Sequence, residues 1–130
     1  MKKHNKISLM IVDDEPFIRR TLSLILQQQG YQVQVAEDGQ EAWEKLKGGI
    51  IPEIIFIDVM MPRLSGFELC KMIKANDLFK TIHVILLTAR WQKSDRIKAE
   101  AIGIDEYITK PFSPSNIIRR VQHIIKSKKE

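Results

Sequence analysis

An α/β fold, a parallel sheet covered on both faces by helices, is predicted by three features of the sequence. Ile54-Ile55-Phe56-Ile57 and the stretch from Ile82 to Leu87 are short, branched and almost wholly apolar, which is the pattern of strands buried on both sides. Strand-like and helix-like segments alternate along the whole chain. Both apolar runs stop abruptly at a polar residue, Asp58 and Thr88. In open α/β sheets ligands bind at that end of the strands, so Asp58 reads as a chemical residue from the outset.

The elements follow in order. The first strand, Ile7 to Val12, stops at Asp13-Asp14, and Glu15-Pro16 opens a helix because proline and acidic side chains suit a first turn. Ile18, Leu22, Ile25 and Leu26 form its apolar stripe, and Gly30 is expected to end it. Tyr31 to Ala36 alternates polar and apolar residues, the pattern of an edge strand. Asp38-Gly39 reads as a turn before a short helix carrying Ala42, Trp43 and Leu46, which Gly48-Gly49 terminates. After the strand through Asp58, Ser65 can cap a helix that turns Phe67, Leu69, Cys70 and Ile73 inward. Beyond the strand ending at Thr88 comes a weaker helix to about Gly103, with Ile97, Ala101 and Ile102 as its apolar residues. Glu106 to Thr109 is short and mixed, a second edge strand, and it ends at Lys110-Pro111. Ile117, Val121, Ile124 and Ile125 give the last helix one apolar face among basic residues. Five β-α units with right-handed crossovers and alternating strands in second and fifth place fit the order 2-1-3-4-5, a flavodoxin-like doubly wound sheet.

With 130 residues, 44% hydrophobic and 28% charged, residues 1–130 fit a single domain with a core of about residues 7–126. The single cysteine, Cys70, excludes an internal disulfide framework and points to a reducing compartment, so a cytoplasmic location is expected. No stretch approaches the roughly 20 apolar residues of a membrane helix. The run after the basic residues 1–6 is cut short by Asp13 and Asp14, which argues against a signal peptide. Lys and Arg number 21 against 16 Asp and Glu, a net charge of +5, concentrated in Lys2, Lys3 and Lys6 and in Arg119, Arg120, Lys126, Lys128 and Lys129. Charge runs of this kind are mostly solvated faces and tails.

The predicted order brings Asp13, Asp14, Asp58, Thr88 and Lys110 to one edge of the sheet. Three carboxylates together raise one another's pKa unless a cation compensates. An all-oxygen set without His or Cys favours Mg²⁺ over zinc, with Mn²⁺ as a substitute. Asp14 and Asp58 are the expected direct ligands, with Asp13 acting directly or through water. A hard cation, the Lys110 ammonium and the Thr88 hydroxyl around one carboxylate make a site for phosphoryl transfer to Asp58.

Ile11-Val12-Asp13-Asp14-Glu15-Pro16, Asp58-Val59-Met60-Met61-Pro62, Leu87-Thr88-Ala89-Arg90 and Tyr107-Ile108-Thr109-Lys110-Pro111-Phe112 together resemble the receiver domain of two-component response regulators, of the chemotaxis-regulator kind, over residues 7–126. The resemblance implies that Asp58 is the phosphoacceptor and that Asp13 and Asp14 hold Mg²⁺, with the Met60 backbone carbonyl completing the metal shell. It implies that Thr88 and Tyr107 are the switch pair, that Lys110 contacts the phosphoryl group, and that the Lys110-Pro111 bond is cis. The implied donor is a sensor histidine kinase, a phosphotransfer protein or a small phosphodonor. Phosphorylation would reshape the face of the fourth helix, fifth strand and fifth helix for a downstream protein target or output domain, and phosphorylation-dependent dimerisation is open. Ser65, Ile104 and Glu106 depart from the residues common in the family. Met60 and Arg90, each two residues beyond Asp58 and Thr88, would flank an attacking water, and a bulky Met60 would prolong the life of the phosphoryl group.

Alternatives are weaker. A phosphohydrolase of the haloacid dehalogenase kind places a second Asp two residues after its nucleophile, where this chain has Met60, so the chain should catalyse only its own phosphorylation and slow dephosphorylation rather than act as a multiple-turnover enzyme. No direct nucleic-acid or membrane partner is expected, because no helix-turn-helix follows residue 126 and attraction to phosphate alone would be sequence-blind. No Gly-rich phosphate loop follows the first strand, which speaks against a nucleotide site. Trp43, Trp91 and Phe112 read as packing or surface anchors, and His4, His83 and His123 as bystanders without an acid partner. No output domain is expected within these residues, and a stand-alone receiver and a part of a longer regulator both remain open.

Overall fold

The computed structural model describes residues 7–89 and 92–129. Residues 1–6, with Lys2, Lys3, His4 and Lys6, lie outside the described residues, as do Arg90 and Trp91. The elements run β1 (Ser8–Val12), α1 (Pro16–Gln27), β2 (Gln32–Ala36), α2 (Gly39–Lys47), β3 (Ile54–Asp58), α3 (Gly66–Lys74), β4 (His83–Thr88), α4 (Lys93–Ile102), β5 (Glu106–Thr109) and α5 (Pro114–Lys129). All strands are parallel, in the order β2-β1-β3-β4-β5. That is the predicted order, with the topological switch between β1 and β3.

Alternate residues of the central strands face opposite layers, which explains why these strands are apolar throughout. Leu9, Ile11, Ile54, Phe56, Ile85 and Leu87 pack under α1 and α5 with Leu22, Leu26, Ile117 and Val121. Met10, Val12, Ile55, Ile57, Val84 and Leu86 pack under α2, α3 and α4 with Leu46, Leu69, Ile73 and Ala99. Trp43 meets Phe79 edge to face with ring centroids 5.5 Å apart, so it is a packing anchor, and Phe112 packs against the α1/α5 layer. Cys70 is fully buried on α3, and burial pushes its thiol up to about 12.

Several local expectations are corrected. Asp38-Gly39 is the start of α2 rather than a turn: Asp38 Oδ1 accepts the Glu41 N–H at 2.9 Å, a helix N-cap. Gln28 closes α1, and Gly30, at φ 94°, lies two residues beyond it in the turn to β2. In α4 the buried residue is Ala99, while Ile97 is 61% exposed. His83 is not a bystander, because its Nε2 lies 2.9 Å from Glu106 Oε2 on the neighbouring strand. Arg120 of α5 also binds Glu106, which ties α5 to the start of β5.

Candidate active site at the carboxyl end of the sheet

Parallel register delivers the site residues side by side. Val12 pairs with Ile57, so Asp13 and Asp58 leave the sheet together, and Asp58 pairs with Leu87, one residue before Thr88. Thr88 pairs with Thr109, and Lys110 follows. Hydrogen bonds continue one residue past the strands: Asp13 N donates to Ala36 O at 3.2 Å, Val59 N to Leu87 O at 3.0 Å and Lys110 N to Thr88 O at 2.8 Å. The backbones beneath the site are therefore fixed.

Asp13, Asp14 and Asp58 bring carboxylate oxygens within 4.8 Å of one another. Asp13 and Asp58 are buried and Asp14 is exposed, so the cluster opens to solvent on one side. Lys110 Nζ lies 3.0 Å from Asp13 Oδ2, 3.6 Å from Asp58 Oδ1 and 3.9 Å from Glu15 Oε1. Burial, and then the negative charge of Asp13, raise the Asp58 carboxyl to about 7, with Lys110 acting against them. Asp13 is also raised, chiefly by burial, although the Glu15 N–H and Lys110 oppose the shift. Burial lowers Lys110, but the hydrogen bond to Asp13 and the surrounding carboxylates outweigh it, so its pKa is raised and it stays charged. One ammonium thus faces three carboxylates, and the buried Asp13 Oδ2 has Lys110 as its one partner among the described residues. This excess of hard oxygen donors fits a divalent cation such as Mg²⁺.

A family model described as the response regulator receiver domain matches residues 9–122. The chain belongs to this receiver-domain family. Its relatives include the protein PilG of Pseudomonas aeruginosa, 39% identical over 89% of this receiver and 85% of PilG. The transcriptional regulatory protein ResD of Bacillus subtilis is 35% identical over 97% of the chain, and the chain spans about half of its length, 51%. Among solved structures, the chemotaxis protein CheY4 of Vibrio cholerae superimposes with a TM-score of 0.86 at 30% identity, covering 92% of this chain and 98% of that one.

Of the other residues singled out in the receiver sequence, Thr88 is buried beside Asp58 at the end of β4, and Tyr107 on β5 is 41% exposed. Met60 is 77% exposed, and its N–H donates to Asp58 Oδ1 at 3.3 Å. The Lys110-Pro111 bond is cis. Three contributors were not legible. Arg19 Nη1 donates to the Asp13 carbonyl at 2.6 Å, and Glu15 N donates to Asp13 Oδ1 at 2.9 Å, so the first turn of α1 clamps the acidic loop. At Gly66 a Cβ would come within 2.2 Å of the Asp58 carbonyl oxygen, so only glycine lets α3 start directly against the strand end. The Ser65-Gly66 pair at a helix start was the available signal.

Proposed function

We propose that this receiver accepts a phosphoryl group on Asp58 and signals through the face formed by α4, β5 and α5. The observation that carries the reading is the cluster of three carboxylates within 4.8 Å of one another, two of them buried and all facing Lys110 or the solvent side of the site. Asp13, Asp14, Asp58 and the Met60 backbone carbonyl would hold Mg²⁺, or Mn²⁺ in its place, and the ion would neutralise charge on the transferring group. The Asp58 carboxylate attacks phosphorus, and the bond from phosphorus to the donor nitrogen or oxygen breaks. The product is an acyl phosphate on Asp58, and the leaving group keeps the bonding electrons and takes up a proton. Lys110, charged and 3.6 Å from Asp58, takes up charge on the phosphoryl oxygens.

The Thr88 hydroxyl donates to a phosphoryl oxygen, and the half-exposed ring of Tyr107 turns inward as Thr88 moves. Receiver domains of two-component systems work with histidine kinases and output domains, so the donor proposed here is a histidine kinase, a phosphotransfer protein or a small phosphodonor. The target is a downstream protein, an output domain or a second phosphorylated copy. Self-catalysed phosphorylation and slow hydrolysis, without multiple turnover, follow from Met60 standing where a phosphohydrolase has its acid. A cytoplasmic setting suits these partners, and among the described residues no helix is long and apolar enough to cross a membrane.

Incubation with Mg²⁺ and acetyl phosphate tests the reading by mass spectrometry. One phosphate should appear on the wild type and none on Asp58→Ala. A phosphate that persists in Asp58→Ala overturns it.

A further inference from the structure

Between α3 and α4 lies an open cleft of about 860 Å³ that includes neither Asp58 nor Lys110. Its floor is apolar, made by Val59, Phe67, Ala101 and Ile102. The carboxylates at its edge are already engaged. Glu68 Oε1 accepts the Ser65 N–H at 3.0 Å and Asp95 Oδ2 accepts the Gln92 N–H at 3.0 Å, each closing a helix start. Lys74 is engaged as well, 2.8 Å from Asp105 Oδ2.

Lys71 on α3 and Lys98 on α4 remain, one on each wall, and among the described residues neither has a carboxylate partner. The Lys98 ammonium instead lies 5.3 Å from the centroid of the Phe67 ring and reaches across the cleft. An apolar floor between two lysines that stand outside any ion pair among the described residues is complementary to an apolar side chain flanked by carboxylates. Phe67, Lys71 and Lys74 lie along two turns of α3, roughly 10 Å, the length of a short peptide segment. A second copy of this chain, at a net charge of +5, is a poorer match to this rim.

We propose that the α3–α4 cleft docks an acidic, apolar-anchored segment of a partner protein. The cleft shares α4 with the α4–β5–α5 face but opens on its α3 side, away from β5 and α5.

The test titrates the isotope-labelled, unphosphorylated chain with a short amidated helical peptide that carries Leu and Phe one turn apart between glutamates. NMR shifts should saturate and centre on Phe67, Lys71, Lys98 and Ile102. Binding should weaken roughly tenfold in the Lys71→Glu/Lys98→Glu double variant, whose exposed substitutions should leave the thermal midpoint unchanged. Absence of saturable shifts, shifts centred on β5 and α5, or unchanged affinity in the double variant overturns the proposal. Tighter binding to anionic lipid vesicles than to the peptide, or self-association that the double variant abolishes, overturns it in favour of a different occupant. No phosphoryl group is used, so failure here leaves the phosphoacceptor reading intact, and the acetyl phosphate experiment does not depend on the cleft.

Discussion

The two ends of the sheet use the same kinds of residue in opposite ways. At the amino end, Glu106 is shared by His83 and Arg120, while Asp105 Oδ2 meets Lys74 and accepts the Val84 N–H at 2.9 Å. Each carboxylate there has a cation and a fixed geometry. At the carboxyl end, Asp13, Asp14 and Asp58 crowd together, and Lys110 faces only Asp13 and Asp58 among them. The first arrangement neutralises itself and holds α3, α5 and the strands together. The second leaves more carboxylates than cations, an imbalance that fits a further cation and sets it apart from the first.

The largest test of this contrast is Lys110→Ala. Removing the ammonium that faces both buried carboxylates should slow phosphorylation by acetyl phosphate about a hundredfold or more, as loss of a preorganised charge donor does elsewhere. A near-native rate in a stopped assay would erase the distinction between the two ends.

The next effect is on stability against pH without metal. Folded Asp58 titrates at about 7 and Asp13 is raised as well, whereas unfolded aspartates titrate near 3.8. Between about pH 4 and pH 7 the folded chain therefore holds more protons than the unfolded chain. The contribution of these groups is fully present below that window and is lost as pH rises through it. Asp58→Asn removes the buried charge and should add on the order of 2 kcal/mol at about pH 8, and far less at about pH 4, in urea titrations. Mg²⁺ should stabilise the wild type more at about pH 8 than at about pH 5, because the carboxylates must lose protons to bind it. A variant whose stability relative to the wild type is the same at both pH values would contradict the strained-cluster account.

Smaller still is Glu106→Gln at the amino end. It leaves Arg120 and His83 without their shared carboxylate and should cost about 1 kcal/mol, with phosphorylation of Asp58 unchanged. If phosphorylation fell with stability, the two ends would not be separable. Least of all, Met60→Asn should shorten the life of the phosphoryl group a few-fold by opening the path of water, an effect readable as phosphate release. An unchanged lifetime would leave Met60 without that role.

The amino and carboxyl ends also differ in how far they were legible. Asp13, Asp14, Asp58, Thr88 and Lys110 each follow an apolar run directly, so the strand order alone gathers them at one edge. The pairing of His83 with Glu106 depends on register between β4 and β5, where Ile85 rather than His83 stands opposite Glu106, and reaching it takes the full glutamate side chain. Arg19 was equally hidden, because it acts on a backbone carbonyl and carbonyls leave no trace in sequence. In α4 the apolar residues alone did not show which face is buried, since Ala99 and Ile102 meet the core while Ile97 stands in solvent. Gly66 was visible as a letter, but its closeness to the Asp58 carbonyl belongs to the packing of α3 on β3.

Cys70 gives the molecule an internal clock. Its thiol is the only one in the chain, has no exposure in the folded state and is held protonated by burial, so thiol reagents can reach it only when α3 lifts from the sheet. The rate of its labelling therefore counts those openings without any added probe. Because α3 starts against Asp58, the same rate measured before and after treatment with a phosphodonor would report whether a change at Asp58 alters how firmly that helix is held.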